Sequence, residues 1–361
     1  MAAYILRRIL LIIPTLLGIM FLNFAIIQFI PGGPVEQALA KLENLTGGFD
    51  LLGGSAGDAG ISLSDGESGY KGRIGLSEDF IKDLEKQYGF DKPFWERFWL
   101  MMKNYLVFDF GESYFRSISV VDLILEKMPV SITIGLWSTL ISYMISIPLG
   151  IRKAVKDGSK FDTWSTAVLI AAMAIPTFLI ATVLIVLFAG GSFWRIFPLR
   201  GLTSQGFDDM TLLGQIGDYL WHITLPVFAM AVGSFTMSTI FVKNLFLDEI
   251  KKQYVITARA KGASERRVLY GHVFRNAMLL VIAGFPSMFI GVFFGGSLII
   301  ETIFSLDGLG RLGFEAVITR DYPIMFGTMY FFGLFGLLVK ILSDITYVWI
   351  DPRIDFESRR T

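Results

Sequence analysis

Residues 253–276, "QYVITARAKGASERRVLYGHVFRN", form a polar, basic stretch of 24 residues. Before it lies "WHITLPVFAMAVGSFTMSTIFV" (221–242) and after it "AMLLVIAGFPSMFIGVFFGGSLII" (277–300); neither contains Asp, Glu, Lys or Arg. Crossing a hydrocarbon core of about 30 Å as a helix takes about 20 apolar residues. Each flank is long enough to cross, so the basic stretch reads as a loop between two spans, presented on one side of a membrane.

Composition agrees. The chain has 361 residues, 53% of them hydrophobic and 18% charged, with 33 Phe and 14 Met; its mean hydropathy is +0.58. Soluble domains carry roughly 25% charged residues, so the solvent for much of this surface is lipid. Net charge is zero and gives no reason to expect a nucleic-acid partner. With no Cys, disulfides, iron–sulfur clusters and thiolate sites are excluded. The two His, His222 and His272, are separated by a span and have no carboxylates at ligand-like spacing, so no metal site is expected.

Other uncharged runs are Ile9–Ile30, Val130–Ile151 and Trp164–Gly191, and Ile324–Ile350 is apolar except at Lys340 and Asp344. The reading is an all-α membrane protein with six transmembrane helices. Pro14, Pro148, Pro176, Pro226 and Pro286 fall inside these runs, where a membrane helix tolerates them. With the N-terminus inside, the inner segments carry 17 Lys and Arg and the two short outer loops, 192–220 and 301–323, carry four. The positive-inside bias therefore puts both termini and the 253–276 stretch in the cytoplasm. The N-terminal run is too long for a secretory signal and lacks a cleavage site, so it reads as an uncleaved first span.

The expected organisation is residues 1–30 as N-terminus and first span, 31–128 as a large outer region, 129–350 as the transmembrane core containing a basic loop at 244–276, and 351–361 as a cytoplasmic tail. Within the outer region, 47–75 has ten Gly in 29 residues and reads as a mobile insert. Helices follow at about 77–106, with Ser77 as N-cap, Gly89 past a helix end, and Leu76 with Ile81 placed for a hydrophobic staple. Trp95, Phe98, Trp99 and Met102 are spaced to make one aromatic face, for packing, the membrane surface or an outside partner.

Several patterns are weighed and set aside. "GLGRLG" (308–313) matches G-x-G-x-x-G, but it lies in a loop between spans rather than in a βαβ unit. No P-loop pattern occurs, so no ATPase or other catalytic centre is expected in this chain. Ser297 in "GGS" lacks a base beside it for intramembrane proteolysis, since His222 belongs at the far end of another span. Lys340 and Asp344, spaced i, i+4, read as an intramembrane ion pair.

The basic loop has internal punctuation. "YVITARAKG" is helix-forming and ends at Gly262, a natural C-cap. Ala258 and Gly262 form a small-residue edge that lets another backbone approach. "SERRVLYGHVFRN" then restarts a helix with Ser264 as cap. Helix, sharp turn and helix make a rigid knob at the mouth of a span; anionic headgroups would account for its charge but not for its turn.

This stretch resembles the cytoplasmic "EAA" loop of binding-protein-dependent ABC importer permeases, in the form found in the peptide branch. The general pattern is Glu-Ala-Ala, three residues, Gly. Ile256 and Thr257 replace the Glu and the first Ala here, while Ala258 and Gly262 are kept. The resemblance covers roughly residues 4–356, through "YILRRILLIIPTLLGI" (4–19), "PGGP" (31–34), "YGFDKPFWERF" (88–98), "FDFGESY" (108–114), "SITIGLWSTLISYMISIPLGI" (131–151), "FSLDGLGRL" (304–312), "RDYPIMFGT" (320–328) and "DITYVWIDPRIDF" (344–356). Peptide permeases usually have "PGDP" where Gly33 stands here. The Gly-rich insert is similar to that of a subgroup importing oligopeptides and microcin C.

The resemblance implies the type I ABC importer permease fold, with the large periplasmic loop between helices 1 and 2. It further implies an inner-membrane permease paired with a homologous second permease, a periplasmic peptide-binding protein, and an ABC ATPase whose two domains are fused in one chain. ATP and Mg would be bound by that partner, and no cofactor by this chain. Coupling to the ATPase would fall to Tyr254, Thr257, Ala258, Arg259, Ala260, Lys261, Gly262, Ala263 and Ser264. For the translocation pathway the candidates are Phe285, Pro286 and Phe289 on span five, with Gly284, Gly295 and Gly296 as weak points of that helix. A secondary transporter or channel is the alternative; it would call for internal repeats or several intramembrane acids, and the runs show no repeat and no acid besides the paired Asp344.

Overall fold

The computed structural model describes residues 2–28, 91–190, 193–295 and 297–350. The Gly-rich insert, the Ser77 cap, the Leu76–Ile81 staple, "PGGP", Gly296 and the tail at 351–361 lie outside the described residues. Described elements, numbered in chain order, are α1 (Ala2–Gln28), α2 (Phe94–Tyr105), α3 (Val120–Val155), α4 (Lys160–Ala174), α5 (Thr177–Phe188) and α6 (Leu212–Ile250). There follow α7 (Gln253–Ala260), α8 (Glu265–Arg267), a π-helical segment (Val268–Val273), α9 (Phe274–Gly295), α10 (Ser297–Ile303), α11 (Leu309–Thr319) and α12 (Tyr322–Ile350). Among these residues the extended pairing is a single isolated bridge, Glu112 with Ser119.

Among the described residues five helices are long and apolar enough to cross a membrane, or six with α4 and α5 taken as one span in two pieces. The expectation of an unbroken third span is corrected: the two pieces are bent by 87°. A proline ring disfavours helical ψ in the residue before it and brings no N–H. Ile175 accordingly has ψ 120° and Pro176 ψ 137°. Pro14, Pro148, Pro226 and Pro286, by contrast, sit inside continuous helices. Helix α6 runs 39 residues, about 58 Å at 1.5 Å per residue, so it overshoots the bilayer well beyond the 221–242 run.

The chain divides into two compact units. The larger comprises Met1–Ile12, Leu125–Leu312 and Phe332–Thr361. Its α3 carries Ser131, Ser138, Thr139, Ser142 and Ser146, all fully buried. In lipid, small polar residues replace hydrophobic contrast as the means of bringing helices together. Ser142 meets Ser234 of α6 at 2.5 Å. A Cβ on Gly150 would come within 2.8 Å of Val242 and 2.9 Å of the Thr239 carbonyl, so glycine permits that close crossing.

The smaller unit comprises Ile13–Ile124 and Gly313–Phe331. Phe24 packs on Phe94, Phe98 and Phe326 with ring centroids 5.1, 5.5 and 5.6 Å away. Asp321 accepts hydrogen bonds from Ser113 Oγ (2.5 Å) and the Tyr114 backbone (3.3 Å). The single aromatic face expected on α2 is split: Phe98 and Met102 are buried with Tyr105, while Trp95 and Trp99 remain 59% and 57% exposed.

Candidate functional site

The basic stretch folds as helix, turn and helix. Helix α7 ends in a paired-bond cap: Gly262 N–H donates to the Arg259 carbonyl (2.9 Å), and Ala263 N–H donates to that of Ala258 (3.2 Å). This 5→2 and 6→1 pattern requires a left-handed residue at its corner. Gly262 supplies it with φ +82°. Ser264 follows with the extended backbone of an N-cap but makes no side-chain cap bond, contrary to its expected role. Arg259 instead closes the turn, donating from Nε and Nη2 to both carboxylate oxygens of Glu265 at 2.9 Å each.

The turn is anchored from below. Val255, Val268 and Val273 are fully or almost fully buried in one core with Val242 and Phe246 of α6 and with Ile151 and Ala154 of α3. Glu249, buried near the end of α6, accepts from the Tyr254 hydroxyl at 2.8 Å and pairs with Lys252 at 2.5 Å. Burial, with the Glu249 carboxylate beside it, pushes the Tyr254 phenol up to about 12. A cleft of about 310 Å³ opens beside the turn, lined by Ala154, Val155, Ile250, Arg259 and Glu265 among others.

The expected coupling residues therefore sit together, but not in one role. Thr257, Arg259, Ala260, Lys261, Gly262 and Ser264 are exposed; Tyr254, Ala258 and Ala263 are half-buried. Ala258 packs on the core, whereas the Cβ direction of Gly262 is open, so the two do not form one exposed edge as expected. Ile256, an apolar side chain 52% exposed, stands out on the outward face.

Phe285, Pro286 and Phe289 lie together on α9, separated from the turn by the π-helical segment. Phe285 packs on Tyr143 of α3 with ring centroids 5.5 Å apart. The expected Lys340–Asp344 pair is replaced: Asp344 Oδ2 takes Arg8 (3.2 Å) and the Tyr4 hydroxyl (3.2 Å), both from α1. Arg8 is the better partner because Tyr4 also accepts from its Nε at 3.1 Å, making a closed triangle. His222 is buried and bonds through Nδ1 to the Asp218 carbonyl at 2.8 Å. No group of three or more metal-ligating side chains occurs among the described residues.

Two networks around buried charged side chains were not anticipated. Glu301, fully buried, accepts from Ser131 Oγ (2.6 Å) and from the Arg311 backbone (2.8 Å), while Ser131 Oγ accepts from the Leu309 backbone (2.9 Å). An anion at the start of α11 meets the positive end of that helix. A Cβ on Gly308 would collide with the Glu301 carboxylate, which explains a glycine of "GLGRLG" by close approach. The second cluster joins Lys153, Asp162, Lys243 and Asp157. In the sequence Glu301 falls just past the uncharged run 277–300, and Lys153 and Lys243 enter only the count of inner positive charges.

Comparison with known proteins agrees with this architecture. Residues 146–356 match the family described as "Binding-protein-dependent transport system inner membrane component". The "Peptidoglycan transport system permease protein YejB" of Agrobacterium fabrum is 59% identical over 99% of this chain and all of that protein. The "Inner membrane ABC transporter permease protein YejB" of Escherichia coli O157:H7 is 57% identical over the same shares. Among solved structures, the MetNI methionine ABC transporter in inward-facing conformations aligns with a TM-score of 0.50 at 15% identity, covering 64% of this chain and 97% of that one. That likeness shows the fold, a type I importer permease. The chain belongs to the family of binding-protein-dependent transport system inner membrane components and is an integral permease subunit of an ABC importer.

Proposed function

We propose that the chain is one half of a peptide channel whose opening is driven by ATP hydrolysis in a partner. The carrying observation is the turn at Gly262: a knob locked by its own cap and by the Arg259–Glu265 pair, rooted in the core shared by α3, α6 and α9. Such a knob moves as a body rather than deforming, which is what a two-state element biased from outside requires. Its exposed Ile256, Thr257, Ala260 and Lys261 suit a groove on an ATPase. In this reading ATP and Mg bind the ATPase, whose two domains form one chain, and a homologous second permease completes the channel. A peptide-binding protein delivers cargo from the periplasm, and both termini and the knob face the cytoplasm.

The inferred cargo is oligopeptide, microcin C-like peptides included, with Phe285, Pro286 and Phe289 on its path. A channel for varied side chains is best without a fixed charge at mid-depth, and α9 between Ala277 and Gly295 carries none. The name of the Agrobacterium relative adds peptidoglycan fragments as a cargo to compare. The test is reconstitution with the second permease, ATPase and binding protein in lipid. ATP hydrolysis stimulated by the binding protein loaded with penta-alanine or with a cell-wall tetrapeptide is the expected result. ATP-independent uptake of the same peptides would favour a secondary transporter instead.

A further inference from the structure

Lys153 has no exposed surface, although it stands two residues before the end of α3. Its ammonium donates to the Asp162 carbonyl (2.9 Å), Ser165 Oγ (2.7 Å) and Thr166 Oγ1 (2.7 Å). Those three bonds use every N–H an ammonium has. The remaining contact, 3.0 Å to Asp162 Oδ1, is therefore Coulombic, and Oδ1 is left without a hydrogen bond. Asp162 Oδ2 accepts from Gly158 N–H (3.2 Å) and from Lys243 (2.7 Å), and Lys243 also reaches Asp157 at 2.9 Å. Two lysines and two aspartates thus cancel in charge where three helices meet: the end of α3, the start of α4, and α6.

A buried ion pair is a poor source of net stability, because desolvation offsets much of the attraction; its distinctive property is that it tolerates few geometries. Position is what this cluster specifies. Lys243 lies seven residues before the end of α6, and Glu249, which holds Tyr254 and Lys252, lies one before that end. The last two turns of α6 therefore grip α4 by one residue and the knob by the other. A second tie, Thr236 Oγ1 to the Leu169 carbonyl at 3.4 Å, holds α4 to α6 about two turns further along.

From this geometry we infer that Lys243 and Asp162 are positioning residues that make α4 travel with α6 when the knob is displaced. Beyond the 87° break at Ile175–Pro176, α5 meets α6 through a core of its own, Ala181 with Leu225, Ala229 and Met230, so the charge cluster serves α4 specifically. The inference rests on the reading that an ATPase drives the knob. It adds that the near half of the broken span, and not only the two spans flanking the basic loop, belongs to the moving body.

The chain has no cysteine, so one pair can be introduced and labelled selectively. Spin labels at Trp164→Cys on α4 and Asn244→Cys on α6, both exposed, report the α4–α6 distance in the full complex in lipid nanodiscs. The expected result is one narrow distance, unchanged between the nucleotide-free and the ATP–vanadate-trapped states. Lys243→Met and Asp162→Asn should broaden it and lower ATP-driven uptake of radiolabelled penta-alanine about 10-fold, with the ATPase still bound; Lys243→Arg should restore both. A distance that changes between states in the unsubstituted background overturns the inference without any charge variant. So does Lys243→Met with a narrow distance and normal uptake, and so does loss of the ATPase from that variant, which would make the cluster a plain support for the knob. Absence of ATP-driven uptake by the wild-type complex would instead overturn the functional reading.

Discussion

Ala263 donates its backbone N–H to the carbonyl of Ala258, 3.2 Å away and five residues back, with Gly262 at φ +82° between them. Everything the knob presents to a partner depends on that corner. The left-handed conformation costs a residue with a Cβ roughly 1–2 kcal/mol.

Gly262→Arg is expected to leave the protein inserted in the membrane while the ATPase no longer co-purifies or no longer couples. Gly262→Asn, a residue tolerated in the left-handed region, should be milder. Co-purification and peptide-stimulated ATP hydrolysis distinguish them. Normal import by the arginine variant with its ATPase bound would remove the knob from the mechanism.

Tyr254→Phe should destabilise the knob by about 1–2 kcal/mol, since buried Glu249 loses a donor. The phenol is raised in the folded state, so its contribution is complete below the unfolded value of about 10 and is lost as pH rises through about 12. Thermal melting in detergent between pH 9 and 12 (roughly, bracketing that window) should fall more steeply for wild type than for the Phe variant.

Gly308→Ala should cost about 2 kcal/mol or more, because the added methyl meets the Glu301 carboxylate in a closed site. Combining it with Glu301→Ala should cost less than the two separately, a coupling readable in a double-mutant cycle by melting temperature. Simple additivity would show that α11 does not depend on this contact.

Asp344→Ala should be destabilising by about 1–3 kcal/mol, because Arg8 and Tyr4 both lose their acceptor. Lys340→Met should stay within about 0.5 kcal/mol. The reverse order would restore the pairing suggested by sequence spacing alone.

What could be read from the sequence follows a physical divide. Uncharged runs declare membrane spans because lipid makes charge costly, and the turn declares itself because a left-handed corner calls for Gly262. Local patterns misled wherever a distant residue competed. Asp344 takes Tyr4, 340 positions away, in place of Lys340 one turn back. Ser264 has an N-cap backbone, but Arg259 and Glu265 do the closing. Lys243 finds Asp162 across 81 positions, a pairing no window could contain. Proline was ambiguous for a different reason: Pro226 and Pro286 lie in continuous helices and Pro176 does not, and residue type alone does not separate the cases.

The break before Pro176 has one more implication. Several carbonyls at the end of α4 lose the amide donors that a continuing helix would have offered them. Hydrocarbon provides no substitutes. Met173, Ile175, Phe178 and Leu179 are all exposed in the lone chain, so the oily side chains there are compatible with lipid, whereas the opened backbone is not. At the elbow, therefore, the assembled transporter must present either water or another polypeptide, which makes this corner of the third span a boundary where the bilayer ends.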